Sequence, residues 1–358
     1  MNHPDKYCLG WFINEFQVAI ILYVLRGNKN MRIGKVSESV LKRSVLKRMK
    51  NRREDVLLGA GIGEDAAAIE VGLEDVVMLT TDPVTATTHD MGAYGVYAVA
   101  NDLLAGGARP VGVLCNILLP PNSREIMIKR IMDEVETCCR ELDMQILGGH
   151  TEVTAAVKQP VLTVSGVGKC KKDEISPMKK FSSGDALVMT KWAGAQGAAI
   201  LAKDHEEQLT SRYTRSFIEH AQQLGKNLSI AKEVEIAKRV GVTGMHDVAQ
   251  GGIYGALWDV ASAAGVGFEV DLGKIPIKQE TVEISEFFDI NPYQLMSAGC
   301  LLLGTKNPDR MIEELTKEGI CAEVIGKVMS GNDKVILRDG ERFFLEPIKS
   351  DELFDIAH

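Results

Sequence analysis

Three aspartates in the first third of the chain stand in short motifs that suit phosphate and metal chemistry. They are Asp65 in a glycine-rich loop, Asp82 after a run of strand-forming residues, and Asp102 near the end of an apolar helical pattern. Asp82 and Asp102 have very apolar neighbours, where an ionised carboxylate must be paired or bind a metal. Mg²⁺ takes such oxygen ligands when it bridges the phosphates of a nucleotide. The aspartates therefore predict a metal site for ATP.

The loop before Asp65 contains Gly61 and Gly63, whose backbone N–H groups could face a phosphate. Two spaced glycines also serve many tight turns, so the loop by itself fits a phosphate cradle and a turn with a solvated acid equally well. Asp82 has a similar alternative, because an aspartate before Pro83 can simply cap a turn. Of the two motifs, Asp82 gives the stronger signal, because binding groups commonly project from the end of a strand.

Asn101 and Asp102 give the strongest signal, because they end an otherwise apolar helical pattern. An acid at the C-terminal end of a helix opposes the helix dipole, and a bound cation would compensate for this. We assign Asp102 to the metal, together with Asp65 and Asp82, and Asn101 to the nucleotide.

A further motif, Gly148-Gly149-His150-Thr151-Glu152, comes after a predicted strand and is expected to form an oxygen-rich turn. We assign Gly148 and Gly149 to nucleotide binding. His150 could contact a phosphate, and Glu152 could take a metal ion or a proton, so both are candidate catalytic residues. A hydrogen-bonded turn histidine explains the motif as well.

In the second half, the sequence from His246 to Gly252 precedes a predicted helix. Gly251 and Gly252 would let the backbone approach an anion at the N-terminus of that helix. We assign both glycines and Asp247 to nucleotide binding, with the alternative that Asp247 caps the helix.

The composition bounds the class of protein. A chain of 358 residues is long enough for two domains, and 45% hydrophobic with 25% charged residues is typical of a soluble protein. A net charge of −8 argues against nucleic acid or an acidic membrane as partner. Seven cysteines without a CxxC pair make zinc improbable and favour a reducing cytosol.

The first thirty residues differ in character from the rest of the chain. The segment from Trp11 to Leu25 is apolar but too short and too polar for a membrane span. We expect residues 1–30 to be an extension and translation to begin at Met31. An amphipathic docking helix is the alternative.

The elements that must position these motifs can be predicted from periodicity. Strands and helices mix without a strict βαβ repeat, so an α+β architecture is preferred to a doubly wound sheet. Predicted strands lie at 65–71, 75–82, 111–119, 144–148, 160–169, 186–190, 266–272, 299–305, 321–329, 333–338 and 342–346. Predicted helices lie at 91–105, 123–142, 194–201, 211–224, 229–240 and 252–264. A boundary between domains is expected within 169–180.

In this order and spacing, the motifs resemble the aminoimidazole ribonucleotide synthetase (AIR synthase) superfamily over about residues 31–346. Thiamine-monophosphate kinase, selenophosphate synthetase and the hydrogenase maturation protein HypE are other members, and the likeness is closest to HypE-like, AIR synthase-related proteins. The resemblance implies an N-terminal domain at 31–170 that dimerises through its sheet into a β-barrel. It also implies an α+β domain at 180–346 and a tail at 347–358.

The resemblance further implies ATP in the cleft, Mg²⁺ on Asp65, Asp82 and Asp102, and phosphorylation of an amide or carbonyl oxygen. Two positions depart from the family pattern. HypE ends in a reactive cysteine, whereas no cysteine comes after Cys321 here, and HypE and thiamine-monophosphate kinase carry aspartate where this chain has His150.

We therefore predict a cytosolic, homodimeric, Mg²⁺/ATP-dependent enzyme whose acceptor is a small-molecule or protein carbonyl. One alternative is a HypE-type hydrogenase maturation factor with a different acceptor. The other is a catalytically silent ATP-binding regulatory protein.

Overall fold

The computed structural model describes residues 34–35, 38–58, 68–69, 71, 75–176, 180–348 and 350–356. These residues form two α+β domains, each built on one main sheet. The proposed extension 1–30, the start at Met31, and Gly61, Gly63 and Asp65 lie outside the described residues. The mixed α+β architecture expected from the sequence is confirmed.

The N-terminal domain contains an open five-stranded sheet in the order β1-β6-β5-β7-β4. Strands β5 and β6 run parallel and are joined by a helical crossover, whereas the other neighbours are antiparallel. A separate pair, β2 and β3, is antiparallel. The strands are β1 Gly34–Lys35, β2 Val56–Leu58, β3 Ala68–Ile69, β4 Asp75–Val84, β5 Arg109–Leu119, β6 Gln145–Val153 and β7 Val161–Lys171.

The helices described in this domain are α1 Glu38–Ser44, α2 Met91–Ala105 and α3 Glu125–Glu141. Helices α2 and α3 pack on one face of the sheet. Helix α3 does so through the apolar stripe that its three-and-four spacing predicts, with Ile128, Ile131 and Val135 fully buried. This layer holds α2 firmly against β4, so side chains on both elements can meet.

The other face of the same sheet has no helix over it in the described residues. Leu79 is 74% exposed there, and Val77 and Leu114 are 38% and 39% exposed. A hydrogen bond of 2.9 Å from the Ser165 hydroxyl to the Thr81 hydroxyl crosses this face between β7 and β4. We call the surface formed by Val77, Leu79, Thr81, Leu114 and Ser165 the open face.

The C-terminal domain contains a seven-stranded sheet in the order β14-β13-β10-β12-β8-β11-β9. Strands β10 and β13 are parallel, and the other neighbours are antiparallel. The strands are β8 Ala186–Thr190, β9 Gly244–Val248, β10 Gly267–Asp271, β11 Cys300–Thr305, β12 Ala322–Met329, β13 Lys334–Arg338 and β14 Glu341–Phe344.

The helices described in this part of the chain pack on the second sheet or share a core with the first domain, and the last of them returns to the boundary between the domains. They are α4 Ala195–Asp204, α5 Glu206–Leu209, α6 Arg215–Gln223, α7 Ala231–Val240, α8 Gly252–Ala264, α9 Gln279–Phe288, α10 Pro308–Lys317 and α11 Glu352–Ile356. Short 3₁₀ turns include Leu272–Lys274 and Pro292–Gln294. No helix of the described ranges is long and apolar enough to cross a membrane.

Buried polar contacts join the two domains. Asn101 on α2 is 1% exposed; its amide nitrogen donates to the carbonyl of Leu228 (2.8 Å), and its amide oxygen accepts from the N–H of Ile230 (3.2 Å). The Lys238 ammonium donates to the carbonyl of Gly107 at 2.8 Å, just past the end of α2. The end of α2 is thereby fixed to the second domain.

Periodicity predicted most of these elements, but it missed β1, β2, β9, α1 and four of the later helices. The five residues of β9 were interpreted only as the approach to a helix. Within one chain the N-terminal sheet is open, with β1 and β4 as its edges. The expected dimerisation into a β-barrel therefore stays a prediction.

Replacement of Asn101 by alanine should destabilise the protein. Asn101→Ala leaves the carbonyl of Leu228 and the N–H of Ile230 buried without a partner, which costs about 2–3 kcal/mol in free energy of unfolding. Urea denaturation of the full chain measures this. The exposed Asn332→Ala is the control and should change the free energy by less than about 0.5 kcal/mol. Equal stability of both variants would contradict the domain-joining role.

Candidate functional site

Three carboxylates meet where the two domains touch. Asp82 projects from β4 and Asp102 from α2 in the first domain, while Asp247 projects from β9 in the second. Asp102 interacts with both of the others. The hydroxyl of Thr80 on β4 donates to Oδ2 of Asp102 at 2.6 Å and fixes this central carboxylate. We call Asp82, Asp102 and Asp247 the aspartate cluster.

The cluster is electrostatically strained. Burial raises the pKa of Asp82 to about 6, and the nearby charge of Asp102 adds to this. Burial also raises the pKa of Asp247 well above its ordinary value, with further contributions from the charges of Asp102 and Asp82. The imidazole of His246 beside the cluster has a pKa lowered by its own burial, so it contributes little positive charge. The site therefore disfavours three negative charges without a cation.

The residues present fit a divalent cation in charge and donor type, because carboxylate oxygens are what Mg²⁺ prefers. Within the described part of the chain, no lysine or arginine forms an ion pair with any of the three aspartates. The same residues also contain no group of three metal-binding side chains already close enough to hold an ion. An ion bound here would therefore require the carboxylates to shift towards each other or to share it with other ligands.

A small cavity of about 70 Å³ lies beside Asp82. Its walls come from both domains, with Thr85 and Thr87 after β4 facing Gln196 and Ile200 on α4. The wall also includes Phe354 of α11. The cavity is bounded by an acid at one end and by uncharged side chains elsewhere, so it suits a neutral group next to the cluster.

The position of Asp247 rules out the alternative that it caps a helix, while its contact with a nucleotide stays a prediction. Asp247 neither caps a helix nor lies in an anion loop, because it is the fourth residue of β9 and pairs with Leu301 of β11. The N-cap of α8 is Gly251. A strand residue at the edge of the sheet reaches across to Asp102 on the other domain. Asp247 thus joins the acidic cluster.

The glycines before α8 do face an anion, but it comes from the chain itself. The N–H of Gly251 donates to Oδ2 of Asp351 at 2.6 Å, and Oδ1 of Asp351 accepts from the N–H groups of Leu353 (2.9 Å) and Met296 (3.2 Å). Gly252 has a φ of +59°, and a Cβ there would lie 2.6 Å from the carbonyl oxygen of Tyr293. The expected nucleotide contact of Gly251 would have to displace Asp351.

His150 and Glu152 lie within β6, not in a turn after it. Their side chains pair at 3.1 Å between Nε2 and Oε2. Three strand spacings, about 14 Å, separate β6 from β4, and the register places the two residues on the open face while Asp82 faces the helices. Within one chain, the structure does not bring them to the aspartate cluster.

Gly148 and Gly149 also belong to β6. A Cβ on Gly149 would lie 1.8 Å from the carbonyl oxygen of Cys115 on β5, so close approach of two strands explains this glycine. Asn101 is occupied by its two bonds across the domain boundary. Nucleotide contacts of these residues stay predictions, as do the roles of Gly61, Gly63 and Asp65 outside the described residues.

Comparisons with known proteins agree with this architecture. A family model described as "AIR synthase related protein, N-terminal domain" matches residues 63–170, and its C-terminal counterpart matches residues 182–338. A putative hydrogenase expression/formation protein of Methanocaldococcus jannaschii is 24% identical over 335 residues, covering 88% of this chain and 95% of the relative.

Carbamoyl dehydratase HypE of Rhodobacter capsulatus is 28% identical, covering 67% of this chain and 69% of the relative. A crystal structure of the hydrogenase maturation protein HypE in complex with ATP superposes with a TM-score of 0.74 at 19% identity, covering 89% of this chain and 97% of that one. At this identity the superposition establishes a shared fold.

The raised pKa of Asp82 predicts a pH dependence without divalent cations. Because the folded state holds this proton up to about pH 6 and the unfolded state loses it near 3.8, the free energy of unfolding should fall as pH rises through this window. The loss is about 1–2 kcal/mol after allowance for solvent screening. Urea unfolding in chelator from pH 4.5 to 7.5 measures it.

Asp82→Asn should flatten this part of the pH profile, whereas Asp339→Asn, at a highly exposed position, should reproduce the wild-type profile. A wild-type stability that rises steadily over the same window would contradict the strained cluster.

Proposed function

We propose that this chain, which belongs to the AIR synthase-related protein family, is an Mg²⁺/ATP-dependent enzyme that phosphorylates an amide or carbonyl oxygen of an acceptor. The observation that carries the proposal is the convergence of Asp82, Asp102 and Asp247 from two domains beside a cavity. Enzymes place such unfavourable charge where a ligand relieves it.

The nucleotide is supported by the donor set and by a relative. In the described part of the chain no lysine or arginine pairs with the three carboxylates, so a cation would relieve their charge, and the triphosphate of ATP is the common bearer of Mg²⁺. The HypE structure with the same fold is a complex with ATP. When bound, Mg²⁺ supplies charge neutralisation and positioning of the phosphates.

The chain's own residues have separate tasks in this proposal. Thr80 holds the central carboxylate of Asp102 through its hydroxyl. The cavity beside Asp82 receives the acceptor and excludes bulk water, with Phe354 closing one side. In the transfer, the acceptor oxygen forms a bond to the γ-phosphorus while the bond to the bridging oxygen breaks and ADP leaves. Positioning of the two reactants accounts for most of the rate in such a site.

A second candidate is a HypE-type maturation factor that uses a different acceptor. It is favoured by the similarity to a hydrogenase expression/formation protein over most of both chains. A stable complex with a carbamoyl-transferase partner would support it. The third candidate, a silent ATP-binding regulator, is favoured by the separation of His150 and Glu152 from the aspartate cluster within one chain.

The decisive experiment is calorimetric titration of ATP into the full chain with Mg²⁺ and with chelator. We expect binding that requires Mg²⁺, and at least about tenfold weaker binding by Asp82→Asn, because one charged ligand is lost. Asp333→Asn, at an exposed position away from both pockets, is the matched control and should bind like the wild type. Unchanged affinity of Asp82→Asn would defeat the metal assignment. ATP hydrolysis across a panel of amide and carbonyl acceptors then separates an enzyme from a silent regulator.

A homodimer through the open face is part of the proposal. An uncovered sheet face with exposed Leu79, Val77 and Leu114 is unusual for a monomer, because a sheet buries its apolar face against another layer. Pairing of two copies would also bury His150 and Glu152 at or near the interface, where they could serve the partner's site.

Leu79→Lys should therefore shift the protein towards monomers, because a charge would be buried in the interface. Light scattering coupled to size exclusion measures the molar mass over a concentration series. Ile126→Lys changes a residue that is 67% exposed on α3, away from the open face, and should leave the mass unchanged. A wild-type monomer at all concentrations would contradict the dimer.

A further inference from the structure

A second cleft lies in the C-terminal domain, away from the aspartate cluster. It has a volume of about 720 Å³, within the range of small-ligand sites. Strand β9 with Asp247 forms one edge of the sheet, and β13 with Arg338 lies five strand spacings away, roughly 24 Å along the sheet. The cleft is not used by the proposed phosphoryl transfer.

One wall is a pair of stacked tyrosines. The rings of Tyr254 on α8 and Tyr293 in the 3₁₀ turn lie 5.6 Å apart between centroids, with an interplanar angle of 18°. Both are only partly buried, so one aromatic surface remains open to the cleft. Such a surface stacks on planar rings. Every nucleobase has a flat aromatic face, so the stacking energy does not depend on a particular base.

The lining of the cleft also includes the guanidinium of Arg338. Arg338 ends β13, and among the described residues its ion pair is with Asp339 at 3.7 Å, beyond hydrogen-bond distance. Its charge lowers the pKa of Tyr254 and of Tyr293 against the larger effect of their burial, so it lies near both rings. An available guanidinium favours a phosphate or carboxylate.

Hydrogen-bonding groups are part of the same lining. Asp271 ends β10, the parallel neighbour of β13, so both strands direct their carboxyl ends to the cleft. Oδ1 of Asp271 accepts from the N–H of Gly273 at 3.0 Å, which leaves its other oxygen for a ligand. Asn291 also lines the cleft. A carboxylate in this position suits the hydroxyl groups of a ribose.

We propose that this cleft binds a nucleoside monophosphate, with the base against Tyr254 and Tyr293, the ribose hydroxyls on Asp271 and the phosphate on Arg338. The three recognition groups match the three parts of a nucleotide in one cleft of suitable volume. This second nucleotide site is separate from the aspartate cluster and needs no divalent cation.

The test is calorimetric titration of AMP into the full chain in chelator, with adenosine as a second probe. We expect saturable binding of one AMP per chain and at least about tenfold weaker binding of adenosine, which lacks the phosphate. Arg338→Gln should weaken AMP by about tenfold or more and leave adenosine unchanged. Tyr293→Leu should weaken both probes.

Two controls separate this site from the proposed active site. Asp82→Asn should bind AMP like the wild type, and Arg215→Gln, which removes an exposed guanidinium elsewhere, should do so too. The inference is overturned if millimolar AMP gives no saturable binding, if Arg338→Gln binds AMP normally, or if Asp82→Asn alone abolishes binding. Because ATP carries the same base, ribose and phosphate, the Mg²⁺-dependent ATP titration is repeated with Arg338→Gln, so that binding in this cleft does not enter its result.

Discussion

Repulsion among Asp82, Asp102 and Asp247 is the constraint that the surrounding contacts must offset. Two of these carboxylates belong to one domain and the third to the other, so closing the domains brings like charges into a partly dry site. Burial and mutual charge raise the pKa of Asp82 and Asp247. The domain boundary must therefore be held by other contacts.

Those contacts lie along helix α2, on both sides of Asp102. Asn101, adjacent in sequence to Asp102, forms hydrogen bonds with two backbone groups of the second domain, and Lys238 donates a hydrogen bond to the carbonyl of Gly107. At the other end of α2, Lys203 pairs with Asp90. Contacts at both ends therefore hold helix α2 in place although Asp102 is repelled by the other two carboxylates. Stabilising contacts nearby let a fold keep such a locally unfavourable site.

The sequence predicted what local periodicity and burial control. The stripe of α3, the strand before Asp82 and the helix that ends after Asp102 agree with the structure, because each buries one face against a neighbour. Asp247 was named as a site residue, but its place on a strand beside Asp102 was not predicted, because β9 is five residues long and its cross-domain partner is remote in sequence. His150 was predicted to lie in a turn, but β6 continues through the two glycines before it. Side chains alternate between the two faces of a strand, and this places His150 on the open face.

The carboxylate of Asp351 accepts a hydrogen bond from the N–H of Gly251 at the start of α8, although the two residues are 100 positions apart in the chain. During synthesis, α8 emerges well before this acid does, so its first N–H group has no intramolecular acceptor in the interval. Phe354 lies in the same segment as Asp351, so the wall of the cavity beside Asp82 is complete only after residues 351–356 have been synthesised.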